Sequence, residues 1–410
     1  MSLKVLLLLV DCLRRDYLSC YGSDAVSTPT LDALAAEGTC FNQAIASATW
    51  TPPAVAAIVS GVYAHKLGIY QFDKPFDSQT KTLFHYFREH NYDVGSFVFD
   101  EKYLFAQIKA ANVLGNFRDF SVPLRWIEAH RDRDFFLYIH YYWVHGPYEP
   151  QPSAQAWSEG NRRLRALLRT GEQGVKAAKL RYSRAVEKMS EEWLSQILQT
   201  LDQLGIAEET LVVFTADHGE SWGERIKDKS SITTNFDMHG RELYDELLRV
   251  PLIFRLPGQV PGSQMIAEQV RSVDIAPTIL KLVGLRTDGH EDLVRPMDGI
   301  SLVGLMRGAG TDQTLFAISS ATNLDLESTV KIAIRSRDWK LIWSLSDHRQ
   351  ELYDLEADPG EQTNVYGNHS AVEARLESIL RAEIDSLPEN QRTEEEEQAL
   401  VRQLKGLGYL

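Results

Sequence analysis

Along the chain, short uninterrupted apolar runs alternate with stretches in which apolar positions return every three or four residues. The uninterrupted runs predict strands at Val5 to Val10, Gly95 to Phe99, Phe135 to Tyr141, Thr210 to Thr215 and Pro251 to Arg255. Helical periodicity marks Arg181 to Leu204 as a long amphipathic helix leading into the strand at Leu211. Two segments carry helix start and stop signals. In "TPTLDALAAEG", Thr28 caps, Pro29 takes the first helical position and a glycine stops the helix. In "TPPAVAAIVSG", Thr51 stands where an N-cap belongs, Pro52 takes the first helical position and Gly61 closes the helix. Strands alternating with helices imply an α/β layer structure around a mainly parallel central sheet.

From about Thr329 the texture changes. "TVKIAIRSRDWKLIWSL" and "QELYDL" read as antiparallel strands joined by turns, and a helix follows from about Ala371 to Leu387. The expected organisation is a catalytic α/β domain over residues 1–325 and a smaller C-terminal α+β subdomain with an antiparallel sheet over 326–410. The acidic run Glu394 to Glu397 reads as a solvated helix start.

Composition narrows the partners. With 43 Lys and Arg against 57 Asp and Glu, the net charge of −14 argues against nucleic acid or an anionic membrane as a general partner. An anionic small substrate then needs local positive charge, such as a metal ion. The run from Lys4 to Val10 is too short to span a bilayer. A chain of 410 residues buries an ample core without disulfides, and three cysteines (Cys12, Cys20, Cys40) crowded near the start make no disulfide framework. A reducing compartment, the cytoplasm, is expected. The sequence fixes no oligomeric state.

In an open α/β sheet, ligands bind just past the carboxyl ends of the strands. "VLLLLVD" ends on Asp11, and "LVVFTADHGE" delivers Asp217 and His218 after a run buried on both faces. A lone Asp there is commonly a helix cap, but an adjacent Asp-His pair would bury charge at a cost of several kcal/mol unless partnered. Two carboxylates and an imidazole suit one divalent cation: Mn, Mg, Ca or Zn. Thr51 reads either as a cap or, with a metal beside it, as a nucleophile, since a helix N-terminus favours an alkoxide and an attached anion. His65 and His85 read as packing or surface residues, and Trp50 and Trp143 as core residues or pocket lining.

Asp11 with "LRRDYLSCYG", "TPTLDALAAEG", the helix ending Ser60-Gly61, "LVVFTADHGE", "HGRELYDELLRVPLIFRLPG", "VDIAPTILKLVGL" and "DGISL" follow one another here as in the sulfatases of the alkaline phosphatase superfamily, which this chain resembles. "WKLI", "ELYDLEADPGEQTNV" and the terminal "LKGLGYL" resemble the sulfatase C-terminal subdomain. The resemblance implies an alkaline-phosphatase-like three-layer sandwich and a metal-dependent hydrolase of sulfate esters, phosphate esters or phosphonates. It puts Asp11, Asp217 and His218 on metal-ligand positions and Thr51 on the position of the metal-bound nucleophile. His145 in "WVHGPYEP" falls on a substrate-facing histidine, and His239 lies near where relatives carry a basic residue. Either histidine would protonate the leaving alcohol.

Several departures shift the expected chemistry. The family's C/S-x-P-x-R motif reads Thr51-Pro52-Pro53-Ala54-Val55 here. Oxidising a threonine gives a ketone, so the formylglycine route is closed. Cys12 replaces a second carboxylate, which moves the ion away from an oxygen-rich calcium site, and the "GKWH" element is absent. An Asp-x-x-x-His motif for a second metal is also absent, so one ion is expected, with His140, His145 and His239 as an irregular alternative set. Phosphodiester or phosphonate monoester cleavage is favoured over sulfate ester cleavage. The alternatives are a genuine sulfuric ester hydrolase without formylglycine and a non-catalytic binding member of the fold.

Overall fold

The computed structural model describes residues 3–67, 80–98, 108, 111–116, 119–151, 153–226, 229, 232, 238–285, 296–309, 316–321, 331–345 and 347–385. Its centre is Lys4–Val10 (β1), a strand with every residue buried. Thr39–Ile45 (β2), Asp93–Val98 (β3), Val113–Asn116 (β4), Phe135–Tyr141 (β5), Thr210–Ala216 (β6), Arg249–Val250 (β7), Leu252–Arg255 (β8) and Gln264–Arg271 (β9) complete a nine-stranded sheet. The order is β4-β3-β5-β1-β6-β8-β2-β7, with β9 paired to β2.

The block from β4 to β6 is parallel throughout. Fully buried parallel strands read as near-continuous apolar runs, which is why β1, β5 and β6 are legible in the sequence. The β8 strand departs from that pattern by running antiparallel to both β6 and β2. An antiparallel neighbour needs no crossover helix. Four strands of this sheet, β2, β4, β7 and β9, lie outside the sequence reading. In β2 and β9 ("TCFNQAI" and "QMIAEQVR") polar residues break the run, and incompletely covered positions fall on both faces of each strand. The predicted strand at Gly95 begins two residues earlier, at Asp93, and Phe99 lies outside the described residues.

The amphipathic segment begins earlier than expected, as an α-helix over Glu172–Lys188, passes through a π-helical stretch at Met189–Leu194 and resumes as α-helix over Ser195–Gln203. Tyr182, Val186, Met189, Trp193, Ile197 and Leu201 form its buried stripe. Thr28 precedes the helix Pro29–Glu37 (α1), as the start signal indicates.

Ala317–Ala321 (β10), Lys331–Arg335 (β11), Trp339–Ser344 (β12) and Gln350–Asp354 (β13) form a separate antiparallel sheet. Its β10 strand lies ahead of residue 326, within the span read as the larger domain. A helix over Ser370–Asp385 lays Leu376 and Leu380 against Ile332, Ile334, Leu341 and Leu352. Residues 386–410, with the acidic run and the terminal "LKGLGYL", lie outside the described residues. A buried charge cluster ties the small sheet to the large one: Arg335 and Lys340 reach Asp245 at 2.8 and 2.6 Å, and Lys340 reaches Glu361 at 2.7 Å. Among the described residues, no helix is long and apolar enough to cross a membrane.

Candidate active site

In register, Val10 of β1 pairs with Tyr141 of β5 and with Ala216 of β6. The residues just past these strand ends are therefore brought together at one edge of the parallel block: Asp11 after β1, Asp217 and His218 after β6, and His140 next to the end of β5. All four are buried. Over them stands the N-terminus of the helix Thr51–Ser60 (α2).

The helix start differs from the sequence reading by one residue. Trp50 is the N-cap, with extended backbone, and Thr51 is the first helical residue. The Thr51 side chain forms no capping bond; its Oγ1 points at the strand ends, 3.3 Å from Asp11 Oδ2 and 3.5 Å from His218 Nε2. Gly61 closes the helix at φ 71°, with its N–H donating to the Ala57 carbonyl. A left-handed residue at that place is why the sequence carries glycine there.

His218 is oriented by its own loop. Its Nδ1 lies 2.8 Å from the Gly219 carbonyl oxygen, which can only accept. Nδ1 therefore carries a proton, and Nε2 faces Asp217 Oδ2 at 3.4 Å and Asp11 Oδ1 at 4.0 Å. Asp217 Oδ1 accepts from the backbone N–H groups of His218, at 2.8 Å, and Cys12, at 3.2 Å. The glycine is required too: a Cβ on Gly219 would stand 2.0 Å from the Glu246 carbonyl oxygen.

The electrostatics of this cluster suit a cation. Burial opposes ionisation of Asp11, but His145, His140 and His218 around it hold its carboxyl below the usual carboxylate range. Burial and the neighbouring Asp11 push Asp217 up, while the two carboxylates outweigh burial at His218 and raise its pKa. Asp11 Oδ1, Asp217 Oδ2 and His140 Nε2 are buried without a hydrogen-bond partner. Such orphaned polar atoms are costly unless something pairs them. One oxygen each from Asp11 and Asp217 and a nitrogen of His140 lie within 4.8 Å of one another, as do ligand atoms of Asp11, Cys12 and His218. The donor set fits a divalent metal ion.

A second group of side chains borders the first. His239 Nδ1 lies 2.9 Å from Glu220 Oε1, and Tyr148 donates its hydroxyl to Glu220 Oε2 at 3.2 Å. The ring of His145 stacks on Tyr142 at 4.7 Å between centroids and meets the ring of His239 edge-on at 5.0 Å. Burial, with His218 adding to it, pushes His239 down to about 3. Burial also lowers His145, and it raises Glu220 to about 7. Both imidazoles thus titrate below the ordinary histidine value in this buried setting.

Every residue singled out in the sequence, Asp11, Thr51, His145, Asp217, His218 and His239, lies at this place. His65 and His85 lie elsewhere in structural roles: His65 pairs with Glu383 at 2.8 Å, and His85 closes a capping box with Thr82. Trp50 and Trp143 are buried. Sequence reasoning missed Glu220 and put His140 only in an alternative set. The signal for His140 was its position next to the end of a predicted central strand. For Glu220 it was a fourth polar residue in "DHGE" directly after a buried run.

The arrangement defines a class: an α/β protein with a metal-type cluster at parallel strand ends, under a helix that presents a hydroxyl. Residues 4–285 match the family model described as Sulfatase, and residues 235–389 match that of the N-sulphoglucosamine sulphohydrolase C-terminal region. The chain belongs to the sulfatase family. It is 29% identical over 198 residues to a choline-sulfatase of Rhizobium meliloti, an alignment that covers 48% of this chain and 35% of that protein. The chain thus spans about a third of that relative's length. Among solved structures it is similar to a 2-O GAG sulfatase, with TM-score 0.74 and 19% identity over 94% of this chain and 92% of the other. It is equally similar to the phosphonate monoester hydrolase of Agrobacterium radiobacter, with TM-score 0.73 and 19% identity over 94% and 96% of the two chains. At that identity the likeness speaks for the fold, an alkaline-phosphatase-like sandwich with a separate antiparallel sheet.

Proposed function

We propose that this protein hydrolyses small anionic esters through a covalent intermediate on Thr51, and that it prefers phosphodiesters or phosphonate monoesters to sulfate esters. The observation that carries this reading is the direction of the Thr51 hydroxyl, away from its own helix and onto Asp11 and His218. A divalent ion (Mn, Ca, Mg or Zn) held by Asp11, Asp217 and His218, with His140 beside them, would lower the hydroxyl pKa and offset charge on the substrate oxygens.

The start of α2 contributes the positive end of its dipole, suited to an anion at Thr51, although Pro52 and Pro53 offer no backbone N–H and that of Ala54 is donated to the Trp50 carbonyl. Attack forms the bond from Thr51 Oγ1 to phosphorus as the bond to the leaving alcohol breaks; the Thr51 hydroxyl proton passes to water, and the departing alkoxide takes one back from water beside His145 and His239. Water then cleaves the threonine ester and restores the hydroxyl.

The preference rests on the nucleophile. An unmodified secondary alcohol cannot become the aldehyde hydrate used on sulfate esters, and the phosphonate monoester hydrolase shares the fold over nearly the whole chain. Sulfate ester hydrolysis is the second reading, supported by the family model and the choline-sulfatase relative. A panel of nitrophenyl phosphate, bis-nitrophenyl phosphate, a phenylphosphonate monoester and nitrophenyl sulfate separates the two. Intact-mass analysis of quenched turnover should find the phosphoryl or phosphonyl adduct on Thr51. Turnover of the sulfate alone, with no adduct, would replace the first reading by the second.

A further inference from the structure

Beside the carboxylate cluster lies a softer set of donors. Cys12 is buried, and its backbone sits in the left-handed region at φ 59°. A non-glycine residue there is held against a cost of order 1–3 kcal/mol by its surroundings. The restraints are visible: its N–H donates to Asp217 Oδ1 at 3.2 Å and its carbonyl accepts from Tyr182 Oη at 2.7 Å. They fix the thiol inside the site, with Sγ 3.8 Å from His239 Nδ1.

Opposite it is His145. Its Nδ1 lies 2.8 Å from the Gly146 carbonyl oxygen, so Nδ1 carries the proton and Nε2 is a bare lone pair. That Nε2 is buried and has no hydrogen-bond partner. Cys12 Sγ and one ring nitrogen each of His145 and His239 lie within 4.8 Å of one another, all three residues buried. Behind His145 stands the kind of partner that orients metal-binding histidines elsewhere, a backbone carbonyl; His239 Nδ1 also lies 2.9 Å from Glu220 Oε1, a contact that an ion bound at Nδ1 would displace.

We infer that Cys12, His145 and His239 form a second cation site, distinct from the carboxylate cluster and selective for a thiophilic ion such as Zn²⁺ or Co²⁺. One thiolate and two imidazoles match the ligand softness and number of an open tetrahedral site and not those of a Ca²⁺ or Mg²⁺ site. Binding displaces the Cys12 thiol proton to solvent and leaves a thiolate–metal bond. Burial of both imidazoles favours the uncharged form that ligates, and a cation between them brings positive charge to a pocket whose proposed substrate is an anion. The inference does not depend on Thr51 being the nucleophile, and its readout is metal content and absorption, not turnover.

The test is titration of the metal-free full-length chain with Co²⁺, followed by electronic absorption and by metal content after desalting. Two ions per chain are expected, with a thiolate-to-cobalt charge-transfer band in the near ultraviolet. Cys12→Ser should lose the band and one ion. His145→Ala and His239→Gln should each weaken the band-forming event at least tenfold, while Asp217→Asn should lose the other ion and keep the band. Circular dichroism identifies any variant that fails to fold, and the unmodified protein decides the matter even then. A single ion, or two ions without the band, would overturn the site. So would a band lost in Asp217→Asn and intact in both histidine variants, which would assign Cys12 to the carboxylate cluster.

Discussion

The Nδ1 atom of His218 lies 2.8 Å from the carbonyl oxygen of Gly219, its immediate neighbour in the chain. This one short contact fixes which ring nitrogen faces Asp11 and Asp217, and it makes the site sensitive to the backbone on which it stands. Gly219→Ala would drive a Cβ to within 2.0 Å of the Glu246 carbonyl. The loop must shift, at a cost of about 1–3 kcal/mol, as overpacked positions show. Metal affinity measured by isothermal titration should fall with it. Unchanged affinity in a folded Gly219→Ala protein would mean that the loop does not set the ring.

Removing the ion should loosen the fold. Two buried carboxylates repel each other when unpaired, and a ligand at about a hundred times its Kd stabilises by about 2.7 kcal/mol. Thermal unfolding should therefore shift downward on chelation and recover on adding back a divalent ion. Asp217→Asn, which removes a ligand charge, should unfold at the same temperature with and without added Mg²⁺, an ion that the thiol and two imidazoles of the second site do not suit. A chelator-insensitive wild-type melting curve would argue that the orphaned atoms of this cluster hold no ion.

Thr51→Ala separates the two roles of a threonine at a helix start. A true cap lost to alanine costs about 0.5–2 kcal/mol, whereas nucleophile removal costs more than about a hundredfold in rate. The Thr51 hydroxyl makes no capping bond, so the variant should melt within about a degree of wild type in the metal-free state and lose more than about a hundredfold in kcat. Retained turnover would return Thr51 to a structural role.

The charge cluster joining the sheets gives a pH prediction. Burial opposes ionisation of Asp245, but Arg335 and Lys340 outweigh it and hold the carboxyl well below its ordinary 3.8. Glu361 shares Lys340, and Arg249 also feels Asp245. A depressed carboxylate contributes stability that is present above the unfolded-state pKa and is lost as pH falls below it. Asp245→Asn should cost about 3–5 kcal/mol at pH 7, the range for leaving buried partners uncompensated. In urea unfolding, that difference should narrow by about 1.4 kcal/mol per unit below pH 4. A gap that stays constant down to pH 3 would show that the aspartate is not the group titrating.

How much of this could be read from residue order follows from burial. The strands β1, β5 and β6 have both faces covered, so their runs are unmixed and their ends locate Asp11, Asp217 and His218 without any view of the fold. The β2 and β9 strands mix polar and apolar residues at the sheet margin, and nothing in seven or eight residues separates such a pattern from a loop. The helical start at Thr51 was legible to within one residue, yet that residue changes its meaning, since a cap turns its side chain inward to its own helix and a first-turn residue is free to turn elsewhere. His140 hid inside an apolar strand. The role of Glu220 depends on His239, nineteen positions away along a path that pattern reasoning does not follow.

The position of β1 has a consequence for how the polypeptide matures. Its two hydrogen-bonding neighbours lie at 135–141 and 210–216, so during synthesis a strand that is apolar after Lys4 has no sheet partner until about a third of the chain is made and lacks the second until about half. Long-range parallel pairing of this kind is slow and leaves apolar edges open until it is complete. The ends that would grip an ion do not meet before residue 218 is made, so an ion held there cannot template the folding of the first half of the chain.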